Sequence, residues 1–438
     1  MPENKKDKQL FTVARVFFLL IVIPFSLMAI LIANGILKLG ITAKERAINV
    51  LDQKSQEEIK IRAINTADEV ANFLTERKKD LLIATIIPAT EASYKQFVNE
   101  NKKAIWVKQD NKIQQVLAPL YTEMSLIDRN GNEVIKIVNG GAAKSGFANV
   151  SNPANTQYKS EDYFSKASKL NKGEVYIGHV TGWYVNKLDF EKGKRFQGII
   201  RMATPIFGKE GFSGVISLAL DFQHVSGFTD HVIPTQSGYV FRADAATGSY
   251  AYMVDNLGLV IAHPNDYHVE GLYPDGTPVP PLTDKTAEAM SKKGEEVLNL
   301  NLLGFMDPGL PAVAKDAAAG NTGIKTYKFA GQTKFVAYAP IKFYSNDYPK
   351  PGGFGWIGMG VNVEKFNEMA TKASQDVEKE VKARTTTIVL IIIISVILLF
   401  FISALLSRGI GRSIDAEVPA GSQEAVFDEE DEEDKENK

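Results

Sequence analysis

The chain has 438 residues, 45% of them hydrophobic and 23% charged, with a formal net charge of −2. That length suits two or three domains, and the charge balance gives no global electrostatic reason to expect nucleic acid. There is no cysteine, which removes disulfides, thiolate catalysis and cysteine-based metal sites together.

A mean hydropathy of −0.11 conceals two strongly apolar segments. Residues 16–39 (VFFLLIVIPFSLMAILIANGILKL) carry no charge before Lys38, and residues 388–406 (IVLIIIISVILLFFISALL) carry none. Each approaches the roughly 20 residues that cross a hydrocarbon core. Lys5, Lys6, Lys8 and Arg15 flank the first, and Arg408 and Arg412 the second. The positive-inside rule then puts residues 1–15 and 407–438 in the cytoplasm and the region between the spans outside it. The first segment is long for a signal-peptide core, and AILIA at 29–33 is a poor cleavage site, so it is expected to stay as an anchor.

Residues 40–85 read as one stalk helix: Ile48, Leu51, Ile59, Ile64, Ala67, Val70, Ala71 and Leu74 recur with helical spacing, and no Gly or Pro interrupts between Gly40 and Pro88. Such a helix packs along its own domain or against a second copy, and a homodimer is expected. Residues 93–103 and 111–117 are read as two further helical pieces ending at Pro119. Residues 121–138 (YTEMSLIDRNGNEVIKIV) alternate as a strand, an Asp-Arg-Asn-Gly turn and a strand.

Residues 160–185 (SEDYFSKASKLNKGEVYIGHVTGWYV) predict a short amphipathic helix running into a strand. Residues 196–207 and 212–222 are β runs joined by Lys209, Glu210 and Gly211, the punctuation of a hairpin. The unit recurs. Residues 250–262 (YAYMVDNLGLVIA) again give strand, turn and strand, followed by β runs at 333–343 (TKFVAYAPIKF) and 355–363 (GWIGMGVNV); ATPIF from Ala203 and YAPIK from Tyr338 occupy matching places. An internal duplication of an antiparallel-sheet module follows. Residues 272–281 and 303–311 are Pro-rich and are expected to be ordered without being helical. Residues 364–387 form a charged juxtamembrane helix leading into the second span, so that movement of the sheet could move the span.

Tyr158, Tyr163, Phe164, Tyr176, Trp183 and Tyr184 supply aromatic walls in the first copy, and Arg201 and Asp221 are charges in otherwise apolar strands. A charge there is costly unless paired, and aromatic walls with a few charged anchors make a small-molecule pocket. The alternative is a structural Arg201–Asp221 ion pair. Among the five histidines none has helical zinc spacing; His263 and His268, near Asp255 and Asp266, are the one place where a metal comes into question. No phosphate loop, GxSxG, kinase or cyclase pattern is present, so no enzyme, cofactor or metal is expected. The tail from Ser413 (SIDAEVPAGSQEAVFDEEDEEDKENK) is too acidic and too poor in apolar residues to fold. It is a solvated end or a docking segment for a basic partner.

Taken together, SEDYFSKASKLNKGEVYIG (160–178), RMATPIFGKEGFSGVISLALDF (201–222), MVDNLGLVIAHP (253–264) and GMGVNVEKF (358–366) resemble the double Cache (dCache) sensors of chemoreceptors and histidine kinases. The resemblance implies an α+β fold: two PAS-like antiparallel-sheet modules on a long stalk helix, flanked by two transmembrane helices. It divides the chain into a distal module (86–233), a proximal module (234–363), a juxtamembrane helix (364–387) and the second span (388–406). It further implies an inner-membrane sensor, with a small-molecule ligand (an amine, a carboxylate or a similar metabolite) in the distal module and a cytoplasmic signalling partner. The pocket would be lined by Tyr158, Asp162, Tyr163, Phe164, Tyr176, Trp183, Arg201 and Asp221. Amino-acid-binding members carry an Arg shortly before an aromatic pair; here Tyr163-Phe164 is the pair, Glu161 stands at the Arg position, and Asp221 matches the strand Asp. LSRGIGRSI (406–414) resembles the entry to a HAMP linker, without room for its two helices. The output is therefore expected in a separate or missing module. The alternatives are a surface assembly protein reusing the fold, or an accessory subunit that docks through its acidic tail.

Overall fold

The apolar spacing of the stalk is realised as one helix, α1 (Ile23–Ala84). Ile59, Ala63, Ala67, Val70, Leu74 and Leu81 are buried along it, at the three- and four-residue steps that keep one helical face inward. The computed structural model of the protein describes residues 16, 18–109 and 112–417; the expectations for residues 1–15 and for most of the acidic tail lie outside them.

After α1 come α2 (Glu91–Glu100), β1 (Lys102–Gln109), β2 (Lys112–Pro119), β3 (Tyr121–Asp128), β4 (Glu133–Val138), β5 (Gly141–Ala142), α3 (Tyr163–Ala167), β6 (Tyr176–Gly182), α4 (Lys187–Glu191), β7 (Gly198–Gly208), β8 (Gly211–Asp221) and α5 (Gln223–Asp230). The second half holds β9 (Tyr250–Asp255), β10 (Val260–Ala262), α6 (Ala287–Lys293), α7 (Gly309–Ala318), β11 (Gly323–Phe329), β12 (Gln332–Ile341), β13 (Gly355–Asn362) and α8 (Val363–Glu417).

Besides the two-stranded β1–β2 ribbon, two larger antiparallel sheets result, ordered β5-β4-β3-β8-β7-β6 and β10-β9-β13-β12-β11. Apart from the two-residue edge strand β5, their topology is identical: an opening hairpin, then a three-stranded meander whose last strand inserts beside the first. The duplication reaches individual atoms. Asp128 Oδ1 accepts the amides of Asn130 and Asn132, both at 2.8 Å, and Asp255 Oδ1 accepts those of Leu257 and Leu259 at 2.9 and 2.8 Å. Opposite these aspartates sit Gly214 in β8 and Gly355 in β13. Their φ values are +157° and +149°, and an added Cβ would lie 2.1 Å from the Ile127 carbonyl and 2.0 Å from that of Val254. Only glycine allows the last strand to come in this close.

One continuous core takes Leu74 and Leu81 of α1, Met202 and Leu218 of the first sheet, and Met253 and Ile357 of the second. Each such side chain stabilises the fold by roughly 1.5–3 kcal/mol when fully buried. Tyr121 donates its hydroxyl to Asp80 at 2.6 Å, where Arg77 also pairs at 2.8 Å, fastening β3 to α1.

Residues 53–367 form one unit, and residues 1–52 with 368–438 form another. In the latter, the 26-residue segment 381–406 of α8 reaches a mean hydropathy of 3.4 in its most apolar 18-residue window, the one helix among the described residues long and apolar enough to cross a membrane. The apolar N-terminal stretch, Leu19–Gly35, is shorter.

Two expectations are corrected. The segment expected as helix at 111–117 is, from Lys112 on, strand β2 (Lys112–Pro119), paired along its length with β1. Residues 303–311, expected to be non-helical, take part in a 3-10 turn (Leu300–Phe305) and open α7. There Asp307 accepts the Gly309 amide at 2.7 Å and starts the helix.

Candidate functional site

Period-two alternation in β7 and β8 sends Ile199, Arg201 and Ala203, with Val215, Ala219 and Asp221, to one face of the first sheet. The segment from Tyr158 through α3 covers that face. Tyr163, Phe164 and Ala167 pack on Ala203 and Val215. Tyr158 packs on Ile199 and Ala219 with Trp183 beside it, their rings 5.2 Å apart. Tyr176 donates its hydroxyl to Asp162 at 3.2 Å. The candidate residues are therefore brought onto or around one sheet face.

Their electrostatics differ from the alternative of an Arg201–Asp221 pair. Arg201 is 3% exposed, and its Nε donates to Glu161 at 2.8 Å while Nη1 reaches Glu123 at 2.5 Å. Its guanidinium lies 4.8 Å from the Tyr163 ring centre, within cation–π range. Lys136 pairs with Glu133 at 2.9 Å and with Glu123 at 3.5 Å. Burial pushes the Glu123 carboxyl up, but the charges of Arg201 and Lys136 override it and hold it below its ordinary value. Burial likewise works against the Arg201 cation, and Glu161 and Glu123 raise it well above normal, so it stays charged. Asp221 instead accepts the Gln223 amide at 3.0 Å, at the start of α5. Burial raises its pKa, and that amide lowers it in part. Tyr158 is pushed up to about 12, chiefly by burial and then by Glu161; it is a neutral donor at physiological pH.

Glu123, Glu133 and Lys136 were missed by the sequence reading. The signal existed for Glu123, since Glu123, Ser125 and Ile127 alternate onto the Arg201 face from β3, all buried. A carboxylate at an inward strand position raises the same question of a partner as Arg201 does.

The histidine grouping considered for a metal is not assembled. The His263 and His268 rings meet edge-on at 4.9 Å, both held neutral by burial, with His268 lowered to about 4. Asp255 faces His179 at 3.6 Å, and Asp266 accepts the Phe196 amide. Among the described residues no group of three or more acidic, histidine or cysteine ligands could hold a metal ion.

The family model described as Cache domain matches residues 43–365. No curated protein matches the chain. Similar solved structures include a domain assigned to a sensory box/GGDEF family protein from Vibrio parahaemolyticus (16% identity over 71% of this chain and 97% of that one, TM-score 0.44). A second is the ligand-binding domain of the Pseudomonas fluorescens chemoreceptor CtaA in complex with L-isoleucine (16% identity, 73% and 98%, TM-score 0.40). A third is that of the Pseudomonas aeruginosa PAO1 amino acid chemoreceptor PctB in complex with L-Arg (14% identity, 73% and 93%, TM-score 0.39).

Proposed function

Because this chain belongs to the double Cache family, we propose that it is a membrane-anchored extracytoplasmic sensor whose distal module (residues 86–233) binds a small polar metabolite. A shift in that module is passed through the stalk and the proximal module (234–363) to a cytoplasmic partner. Residues 16–39 and 388–406 span the membrane, with both ends cytoplasmic, and the receptor works as a homodimer. Cache modules bind ligands and are not catalytic, which fits a sensor rather than an enzyme. A ligand shifts such a molecule only by binding two arrangements unequally, with coupling typically ~1–3 kcal/mol.

The observation that carries the reading is the buried charge cluster under the aromatic cover. Glu161 belongs to the covering segment and Arg201 to the sheet, so whatever competes for that pair loosens or tightens the cover. Glu123, Glu133 and Glu161 face Arg201 and Lys136, and Asp221 adds another carboxylate to the same face. This excess of negative charge favours the amine end of a ligand. A ligand carboxylate would have to displace Glu161 to reach Arg201.

The test is a thermal-shift screen of the full chain in detergent against amines, carboxylates, amino acids and purines. A ligand at 100 times its dissociation constant adds ~2.7 kcal/mol. The substitution Asp221→Asn keeps an oxygen to accept the Gln223 amide while removing the charge, and it should abolish the shift without lowering the melting point by more than a degree or two. A hit that survives Asp221→Asn removes that residue from the site, and a screen without any hit counts against a metabolite sensor.

A further inference from the structure

A cavity of about 170 Å³ lies away from the distal site, lined by Trp106 of β1, Phe196 and Phe222 at the ends of β7 and β8, Asp230 and His231 closing α5, Phe241 and Arg242, and His263 to Val269 after β10. Its walls thus come from both sheets and from the segment joining them. A cavity of about this size holds a molecule of roughly six heavy atoms, since an engineered one of ~150 Å³ accepts benzene.

Two carboxylates face it, each half engaged. Asp230 Oδ2 accepts the Ser226 hydroxyl at 2.8 Å, and Asp266 Oδ2 accepts the Phe196 amide at 2.8 Å. Neither Oδ1 has a protein partner among the described residues. The cations of the wall do not fill that need. Arg195 donates from Nη1 to the carbonyls of Phe190 and Lys194, both at 3.0 Å, and stacks on the Phe190 ring. Arg242 is exposed. His231 and His263 have lowered pKa values, chiefly through burial, and are neutral. Aromatic faces beside carboxylates with an unfilled acceptor oxygen attract a cation twice over, by ring quadrupole and by charge-assisted hydrogen bonds. Free acceptor oxygens further favour a cation that carries N–H groups.

We propose that this inter-sheet cavity binds a small organic ammonium ion, with Asp230 and Asp266 as its acceptors and Trp106, Phe196, Phe222 and Phe241 as its walls. The site is separate from the distal one. It bridges both sheets, so its occupant biases their arrangement whatever the distal module holds. Burial raises the carboxyl of Asp230, and the charge of Arg242 offsets this only in part; a ligand ammonium hydrogen-bonded to it would bring a cation closer.

The test is calorimetric titration of the full chain in detergent micelles with 1,4-diaminobutane, a six-heavy-atom diamine, and with 1,4-butanediol as the neutral molecule of equal length. Saturable binding of the diamine, no binding of the diol, and at least a tenfold loss of affinity in Asp230→Asn and in Asp266→Asn are expected, with Asp221→Asn binding as the parent does. Three results would overturn the proposal: no binding of the diamine, equal binding of the diol, or diamine binding lost in Asp221→Asn and kept in both cavity variants. The last would move the amine to the distal site and leave the sensor reading standing.

Discussion

Asp230→Asn should stabilise the protein at neutral and alkaline pH and leave it unchanged in acid. Asp230 ends α5, where the helix dipole disfavours a negative charge. Burial is the main cause that lifts its carboxyl to about 7; Ser226 and Arg242 pull it down by less, and Asp266 across the cavity pushes it further up. His231 and His263 line the same cavity and stay neutral there. An unfolded aspartate ionises near ~3.9. Below about pH 4 the group is protonated in both states and contributes nothing. Between ~4 and 7 the unfolded chain has released its proton while the folded one retains it, so stability falls by ~1.4 kcal/mol per pH unit. Above 7 the penalty is constant, on the order of 4 kcal/mol, and cavity water reduces it to about 2–4 kcal/mol. Asparagine does not titrate, and its Oδ1 can still accept the Ser226 hydroxyl. Unfolding of parent and variant in detergent at pH 4.5 and pH 8 separates the two conditions, because every other titrating group is common to both proteins. The variant should gain about 5 °C or more at pH 8 and only about a degree or two at pH 4.5, where the penalty is ~1 kcal/mol before that reduction. An equal gain at both values, or none at pH 8, would refute the reasoning.

Arg201→Met should destabilise by about 3–5 kcal/mol, because buried Glu161 loses its cation and Glu123 keeps only Lys136 at 3.5 Å; in denaturant titration, a loss under about 1 kcal/mol would mean that water reaches these carboxylates. Gly355→Ala should cost at least about 3 kcal/mol, since the new Cβ meets the Val254 carbonyl at 2.0 Å on a backbone held at φ +149°. Hydrogen exchange should show β13 and β9 opening together, and an unchanged exchange pattern would contradict the register described for them.

Those parts of the fold that rest on short-range pattern were legible in the chain. The hairpins at Asp128 and Asp255 announce themselves by alternation on both sides of an Asp-and-Gly turn, and so the duplication was visible. The β1–β2 ribbon was not. Its residues are exposed or half-buried throughout, so there is no alternating apolar face for a period to reveal, and a polar run such as KIQQ reads equally well as helix. Arg201 was recognisable as a buried charge, but its partner depended on register. Arg201 stands opposite Ala219, and Ile199 opposite Asp221, which leaves Asp221 free to start α5 while Glu161 arrives from the covering segment. The cavity was illegible for a related reason: its walls come from segments scattered between residues 106 and 269, none with a local motif.

The helix α5 links the two proposed sites physically. Asp221, on the distal face, accepts the first amide of this eight-residue helix, and Asp230, on the inter-sheet cavity, closes it. A distal ligand that draws on Asp221 weakens the cap at one end. An ammonium in the cavity holds Asp230 ionised at the other, where the helix terminus otherwise works against it. If each occupant prefers a different position of α5, then by linkage the factor by which one changes the affinity of the other is the same in both directions. The cavity would then set the concentration range over which the distal site responds, without contributing an atom to it.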